Sequence, residues 1–424
     1  MQQIIRRVCL AAVLAAGFTS NAAAQKALTW GEVRARFEAN NPTLLADKVS
    51  IDESKAQEIT AYLRPNPQLT LSVDGTQIAP YKGTWAPFRG TYETPGVSYL
   101  HERQHKRELR LESAQKGTLI AESTHVDLER TLLFDLRGAF VSTLQAKVVL
   151  QLAKDNLAYY DNVLDISRTR FSAGDIAQID LDRLELQRVQ YESDVQSAEV
   201  NLHTAKIQLL TLLNDRTPIE QFDVAGLFDF NDQLMPQDEF RKIALDTRPD
   251  LKAALEAVDK AQTDHKLAVA NGSTDPILSA WYTHNSSNNN PFGINTFGVS
   301  VSIPLRIFDR NQGEKLRTQL DIDRNEKLTA AARALVFSDV DSAYAVVNSN
   351  VLLLQPYKTK YLQQAVRVRD TVFFAYQHGG ASLVDYLNAQ SEYRTVELSY
   401  LNLIGSYLTA AAQLNLAVGR EVLQ

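Results

Sequence analysis

A single cysteine, Cys9, stands in 424 residues, and it falls inside an N-terminal stretch that reads as a leader. What remains can hold no disulfide framework, no zinc–thiolate centre and no cysteine nucleophile. Glycine and proline are sparse, at 18 and 13 residues, which suits long uninterrupted helices. Basic charge is not in excess: 44 Lys and Arg stand against 50 Asp and Glu, a formal net charge of -6. Nothing therefore supplies the basic face that nucleic acid requires. Beyond residue 25 no run of about 18 apolar residues occurs, so no transmembrane helix is expected. An exported chain of this kind is either soluble or crosses an outer membrane as strands. No HExxH, nucleophile elbow or phosphate loop is present, so neither an enzyme nor a bound cofactor is expected.

The leader is compact. Arg6 and Arg7 give a positive start, residues 8–18 an apolar run, and Ala22, Ala23 and Ala24 a small-residue cleavage site. Residues 1–24 thus read as a secretory signal peptide, too short in its apolar part to span a bilayer.

A stretch that occurs twice organises the rest. Placing residues 171–214 on residues 376–419 needs no gap, at an offset of 376 − 171 = 205. Gly174 then meets Gly379, Asp180 meets Asp385 and Asn214 meets Gly419. Identity is low, but the apolar pattern is shared. Leu184, Tyr191, Val195, Ala198, Leu202, Ala205, Leu209 and Leu212 step by three or four in one copy. Ala389, Tyr393, Val396, Tyr400, Leu403, Tyr407, Ala410, Leu414 and Ala417 do so in the other. Such steps make a coiled-coil seam, with Arg188 the exception in the first copy.

Taken in order, residues 28–40 form a short helix. Asn41 and Pro42 restart the chain as N-cap and first helical position, and that helix runs to Leu63. Leu69, Leu71 and Val73 alternate with Thr70, Ser72 and Asp74 in a strand with one apolar face. A loop at 75–94 carries Tyr81, Trp85, Phe88 and Tyr92, either as membrane-interface anchors or as ordinary loop packing, and a second strand covers 96–100. Residues 102–171 contain no proline and predict a helix of roughly 100 Å at 1.5 Å per residue. The second half replays the first, with Arg248 and Pro249 standing where Asn41 and Pro42 stood. Phe297, Val299, Val301 and Ile303 form its cleanest strand, Asp309 is the expected N-cap of its long helix, and Pro356 is expected to kink or break that helix. The expected divisions are a first repeat at 25–214 with a β-hairpin at 68–100, a connector at 215–237, and a second repeat at 238–424 with a hairpin at 276–304. The fold class is mainly α with a small β part. Four strands are too few to close a membrane barrel alone, so several chains must pool theirs if a barrel forms.

Two segments resemble the TolC family of outer-membrane efflux channels. The first runs Tyr376-Gln-His-Gly379 and then Leu383-Val-Asp385-Tyr-Leu-Asn388-Ala-Gln390. The second is the run IPLRIFDRNQGE at 303–314, similar to a segment frequent in the branch tied to heavy-metal cation pumps, the CzcC-like proteins. The resemblance covers about 28–419. It implies a homotrimer pooling twelve strands into an outer-membrane barrel in contact with lipid, and long helices forming a periplasmic α-barrel closed at its tips. It also implies two partners, a periplasmic adaptor and an inner-membrane pump of the resistance-nodulation-division class. On this resemblance the tip carries the function: Gly174 and Gly379 as turns, Asp385 in a carboxylate ring, and Tyr376 and Asp180 in a closing network. Two positions depart from the pattern. Asn388 replaces a second aspartate, and Ala381 replaces the network's arginine, for which Arg168 or Arg170 is the candidate substitute. The alternative role for Asp385 is to cap the returning helix. His101 and His105, four apart at the expected helix start, share a face, a spacing that can bind a divalent ion, but the flanking cations disfavour a metal there. His125, His203, His265, His284 and His378 are isolated.

Overall fold

The computed structural model describes residues 27–285 and 294–423. The leader at 1–24, and residues 286–293 within the hairpin expected at 276–304, lie outside the described residues.

The first half contains α1 (Trp30–Asn40), α2 (Pro42–Tyr62), β1 (Gln68–Asp74), β2 (Tyr92–Leu100), α3 (Lys106–Ser172) and α4 (Gln178–Leu212). A connector with a short 3-10 turn (Ile219–Gln221) follows. The second half contains α5 (Gln237–Thr247), α6 (Pro249–Asn271), β3 (Ile277–Asn285), β4 (Asn295–Ser302), α7 (Gln312–Pro356), α8 (Leu362–Gln377) and α9 (Leu383–Val418). At 67 residues, α3 spans roughly 100 Å.

The duplication extends to the backbone. Left-handed residues recur at matching joints: His105 (φ 54°) and Asn311 (φ 60°) at the starts of α3 and α7, Gly174 (φ 83°) and Gly379 (φ 77°) at the tips, Asn214 (φ 50°) and Gly419 (φ 89°) after the returning helices. The side chains between the paired short helices do matching work too. Asn41 Oδ1 accepts from the Leu44 amide at 3.0 Å, and its Nδ2 donates to the Leu212 carbonyl at 3.2 Å. Arg248 sits where Asn41 does and is buried. Its guanidinium donates to Asp250 at 2.6 Å, Asp339 at 2.8 Å and the Ala417 carbonyl at 3.2 Å. Each short-helix joint thereby docks on the last turn of its own half's returning helix, satisfying carbonyls that a helix end leaves free.

Three cores follow. One in the first half gathers Val33, Phe37, Leu136, Phe140, Leu209 and Val224. Its counterpart gathers Phe240, Val336, Val340, Val347, Tyr407 and Leu414. The third lies at the tip and draws on both halves. Along α4 the buried positions Leu184, Tyr191, Ala198 and Ala205 recur at heptad spacing. Arg188, off that seam, pairs with Asp161 at 2.6 Å and with Glu192.

The two hairpins, separate in sequence, form one antiparallel sheet in the order β1-β2-β3-β4. Val97 lies opposite Leu69 on one side and Ala280 on the other, and Ala280 lies opposite Val299. Facing residues share a side of the sheet. Leu69, Leu71, Val73, Val97, Leu278, Phe297, Val299 and Val301 therefore make one apolar, exposed face. Thr70, Ser72, Thr94, Ser98, Ser279, Thr283, Ser300 and Ser302 dominate the other.

Three local expectations need correction. β2 begins at Tyr92, four residues early, because Pro95 breaks the alternation and supplies no amide to the ladder. α3 begins at Lys106, because Gln104 and His105 both take left-handed backbone. His101 and His105 therefore precede the helix and share no helical face. Asp309 does not cap α7. Asn311 holds that position, and Asp309 instead accepts from the Asn311 amide at 2.8 Å. Pro356 ends the regular α-helix, as expected, and a π turn (Tyr357–Tyr361) carries the chain on into α8. A residue without an N–H removes one rung, and the wider turn absorbs the mismatch.

Candidate functional site: the hairpin tips

Both long hairpins reverse through the same turn. The Gly174 amide donates to Phe171 at 2.9 Å and the Asp175 amide to Arg170 at 2.9 Å. In the second half the Gly379 amide donates to Tyr376 at 3.3 Å and the Gly380 amide to Ala375 at 2.8 Å. These are six-to-one closures of the kind that need a left-handed residue, here glycine, just past the helix. A Cβ at Gly174 or Gly379 would meet no atom within 4 Å, so the requirement lies in the backbone and not in space.

The helices that return differ at their first residues. Ser382 caps α9: its Oγ accepts from the Asp385 amide at 3.1 Å, and the Asp385 carboxylate accepts from the Ser382 amide at 3.0 Å and hydroxyl at 2.6 Å. This capping box holds the Asp385 carboxyl below its usual range. Asp385 remains exposed, as does Asn388 one turn on. At the matching place α4 has Ala177 as N-cap, which offers no side-chain oxygen. Asp180 therefore stands third in its helix, half-buried, without a capping partner.

Beneath the turns lies a tyrosine-rich core. Tyr160, Tyr191, Tyr376 and Tyr386 pack with Val163, Leu164, Leu181, Leu184 and Leu383. Tyr376 stacks on Tyr386 with centroids 5.7 Å apart, and Tyr160 on Tyr191 at 4.4 Å. The Tyr160 hydroxyl donates to the Leu184 carbonyl at 3.0 Å. The hydroxyls of Tyr376 and Tyr386, both amide atoms of Gln390, and Nη1 of Arg170 are buried with no hydrogen-bond partner in the protomer. Burial pushes the Tyr376 phenol above its ordinary range, against the pull of nearby Arg170, with the Asp180 charge adding to the rise.

The structure brings Tyr376 and Arg170 together, with the Asp180 charge near enough to act on the phenol. The Arg170 guanidinium lies 5.3 Å from the Tyr376 ring centroid. Arg168 does not join them, since it pairs with Glu185 at 3.0 Å and Asp165 at 3.3 Å. Ala381 packs against the tip core. Sequence reasoning missed Tyr160, Tyr386 and Gln390. The available signal was a helical seam occupied by tyrosine and glutamine where leucine would serve packing better. The loop aromatics Tyr81, Trp85 and Phe88 are exposed at the opposite end. Among the described residues no cluster of three or more His, Cys, Asp or Glu side chains forms a metal site, and no helix is long and apolar enough to cross a membrane.

Several known proteins are similar to this chain. The cobalt-zinc-cadmium resistance protein CzcC of Cupriavidus metallidurans is 22% identical over 382 residues, covering 90% of this chain and 87% of the relative. Outer membrane protein TolC of Escherichia coli is 22% identical over 325 residues, and the match spans 72% of this chain and 64% of TolC. The solved structure of CusC, a transmembrane channel, superposes with a TM-score of 0.74 at 19% identity, covering 92% of each chain. That of the Neisseria gonorrhoeae MtrE outer membrane channel in its open state gives 0.72 at 17%, covering 93% of this chain and 89% of the other. The outer membrane efflux protein family matches residues 33–215 and 241–420, nearly the whole described chain, and the protein belongs to that family.

Proposed function

We propose that three copies of this chain form an outer-membrane conduit that exports divalent metal cations delivered by an inner-membrane resistance-nodulation-division pump and a periplasmic adaptor. The observation that carries the reading is the sheet. It has two unpaired edges and one exposed apolar face, and it is joined to helices of about 100 Å. Unpaired edges cannot sit in hydrocarbon. Three sheets closed edge to edge give twelve strands, apolar outward and Ser/Thr inward, as a membrane barrel requires. Exposed Leu316, Leu320, Leu328 and Leu335 on α7 supply apolar surface for contacts between copies. Residues 1–24 act as the export signal.

At the periplasmic end, Tyr376, Asp180 and Arg170 act as the closing group and three copies of Asp385 as a cation-attracting ring. The metal assignment leans on the named role of CzcC and on the 303–314 segment. A second reading is supported by the pyoverdine export outer membrane protein OpmQ of Pseudomonas aeruginosa, 23% identical over 325 residues: the same conduit carrying organic solutes.

The test is deletion of the gene, followed by growth in zinc, cobalt, cadmium, nickel and copper beside a panel of drugs and detergents. Metal sensitivity restored by the wild-type gene supports the metal reading. Sensitivity to organic compounds alone replaces it with the second. A chain recovered in osmotic-shock fluid instead of outer membranes defeats both.

A further inference from the structure

The Ser/Thr face of the sheet carries one large side chain at its centre, Trp281. It lies opposite Gly298 on β4 and Gly96 on β2, so both neighbours in its row lack a side chain. The indole lies across the Gly298 backbone. A methyl group at 298 would overlap ring atoms Cε2 and Cζ2 and approach Nε1 to 2.8 Å. A methyl at 96 would stand 3.1 Å from the Trp281 Cβ. Neither glycine has positive φ, so conformation does not demand glycine at either place. What demands it is the ring lying against the strand backbone.

We propose that Trp281 is a pore-lining residue, with Gly96 and Gly298 forming a seat that holds its indole flat against the wall. This rests on the barrel reading above. Lipid would take the opposite face, where Leu69, Leu71, Phe297, Val299 and Val301 are exposed. A tryptophan on a face of Ser and Thr then faces water. Standing upright, three indoles would crowd a twelve-stranded bore. Laid on glycine, they leave it open. The device also covers glycines that would otherwise weaken the strands.

The experiment uses the full-length protein with Trp281 as its sole tryptophan (Trp30→Phe, Trp85→Phe), inserted in liposomes. Iodide in the water phase is expected to quench its fluorescence, and brominated acyl chains are expected not to. Adding Gly298→Ala lifts the ring from its seat and is expected to raise the iodide quenching constant on the order of twofold, by exposing the second ring face. Quenching by the brominated lipid overturns the inference alone, and so does an unchanged iodide constant in Gly298→Ala trimers that assemble normally. A chain that does not insert as a heat-modifiable trimer defeats the channel reading, and the inference with it.

Discussion

Replacing Tyr376 with phenylalanine isolates one oxygen. In the protomer the Tyr376 hydroxyl is buried without a hydrogen-bond partner, and an orphaned buried hydroxyl costs about 1–3 kcal/mol. Phenylalanine keeps the stack on Tyr386 and removes that cost, so a lone protomer would gain stability from the change. If the closed tip is held by this group, the hydroxyl finds its partner on a neighbouring copy. Each such bond contributes roughly 0.5–1.5 kcal/mol net, so three copies contribute roughly 1.5–4.5 kcal/mol to closure. Since each ~1.4 kcal/mol is about a factor of ten, Tyr376→Phe should raise the open-to-closed ratio of the purified channel at least about tenfold. Addition of Asp180→Ala should raise it further. The assay is single-channel recording in a planar bilayer, with thermal stability of the trimer measured alongside. A variant that is more stable and no more open would refute the closing role and leave Tyr376 as a packing residue.

Three further outcomes follow from the geometry. Gly174→Ala and Gly379→Ala should each destabilise the tip by about 1–2 kcal/mol, the cost of a left-handed alanine, read as faster amide exchange at the turns. Asparagine at either place should recover part of that. Arg248→Met leaves Asp250 and Asp339 without their buried cation and should cost about 3–5 kcal/mol, seen as loss of heat-resistant trimer. Glu397 is a carboxyl shifted upward, against the direction of Asp250 and Asp385. Burial raises its carboxyl above the usual range despite the Tyr393 hydroxyl and Arg369, and one of its oxygens has no partner. The folded protein therefore holds this proton at a pH where the unfolded chain has lost it. Stability should rise as pH falls through the raised value and level off below the unfolded one, near 4.3. Glu397→Gln should remove that rise and add about 1 kcal/mol at pH 7, measured by melting temperature from pH 8 to 4.

Strands with one apolar face announced themselves in Leu69-x-Leu71-x-Val73, because period two has no competing explanation there. The start of β2 was hidden by Pro95, a residue that argues against a strand wherever it stands. The tip turns were legible because two glycines recur at the same spacing in the duplicated stretch. The left-handed pair Gln104 and His105 was not, since glutamine does not favour that region and what fixes α3 there is distant. The Arg103 amide donates to Asp275 at 2.9 Å, and buried Lys106 reaches the same carboxylate at 2.6 Å. At the tip, Asp180 and Tyr376 were read from motif. The choice of Arg170 over Arg168 waited on knowing which side of the helix faces inward, as did the unsatisfied Gln390.

The π turn at Tyr357–Tyr361 gives the duplicated chain a sense of direction. Its counterpart in the first half is an unbroken stretch of α3. Tyr357 stacks on Tyr400 with centroids 6.3 Å apart, and Lys358 reaches Asp229 in the connector at 3.0 Å. Three copies arranged in a ring would present six hairpins of nearly one shape. Every second stave would carry a joint and the others would be rigid rods. Such a ring cannot dilate evenly. It would deform by alternate members, bending at the three joints ahead of α8.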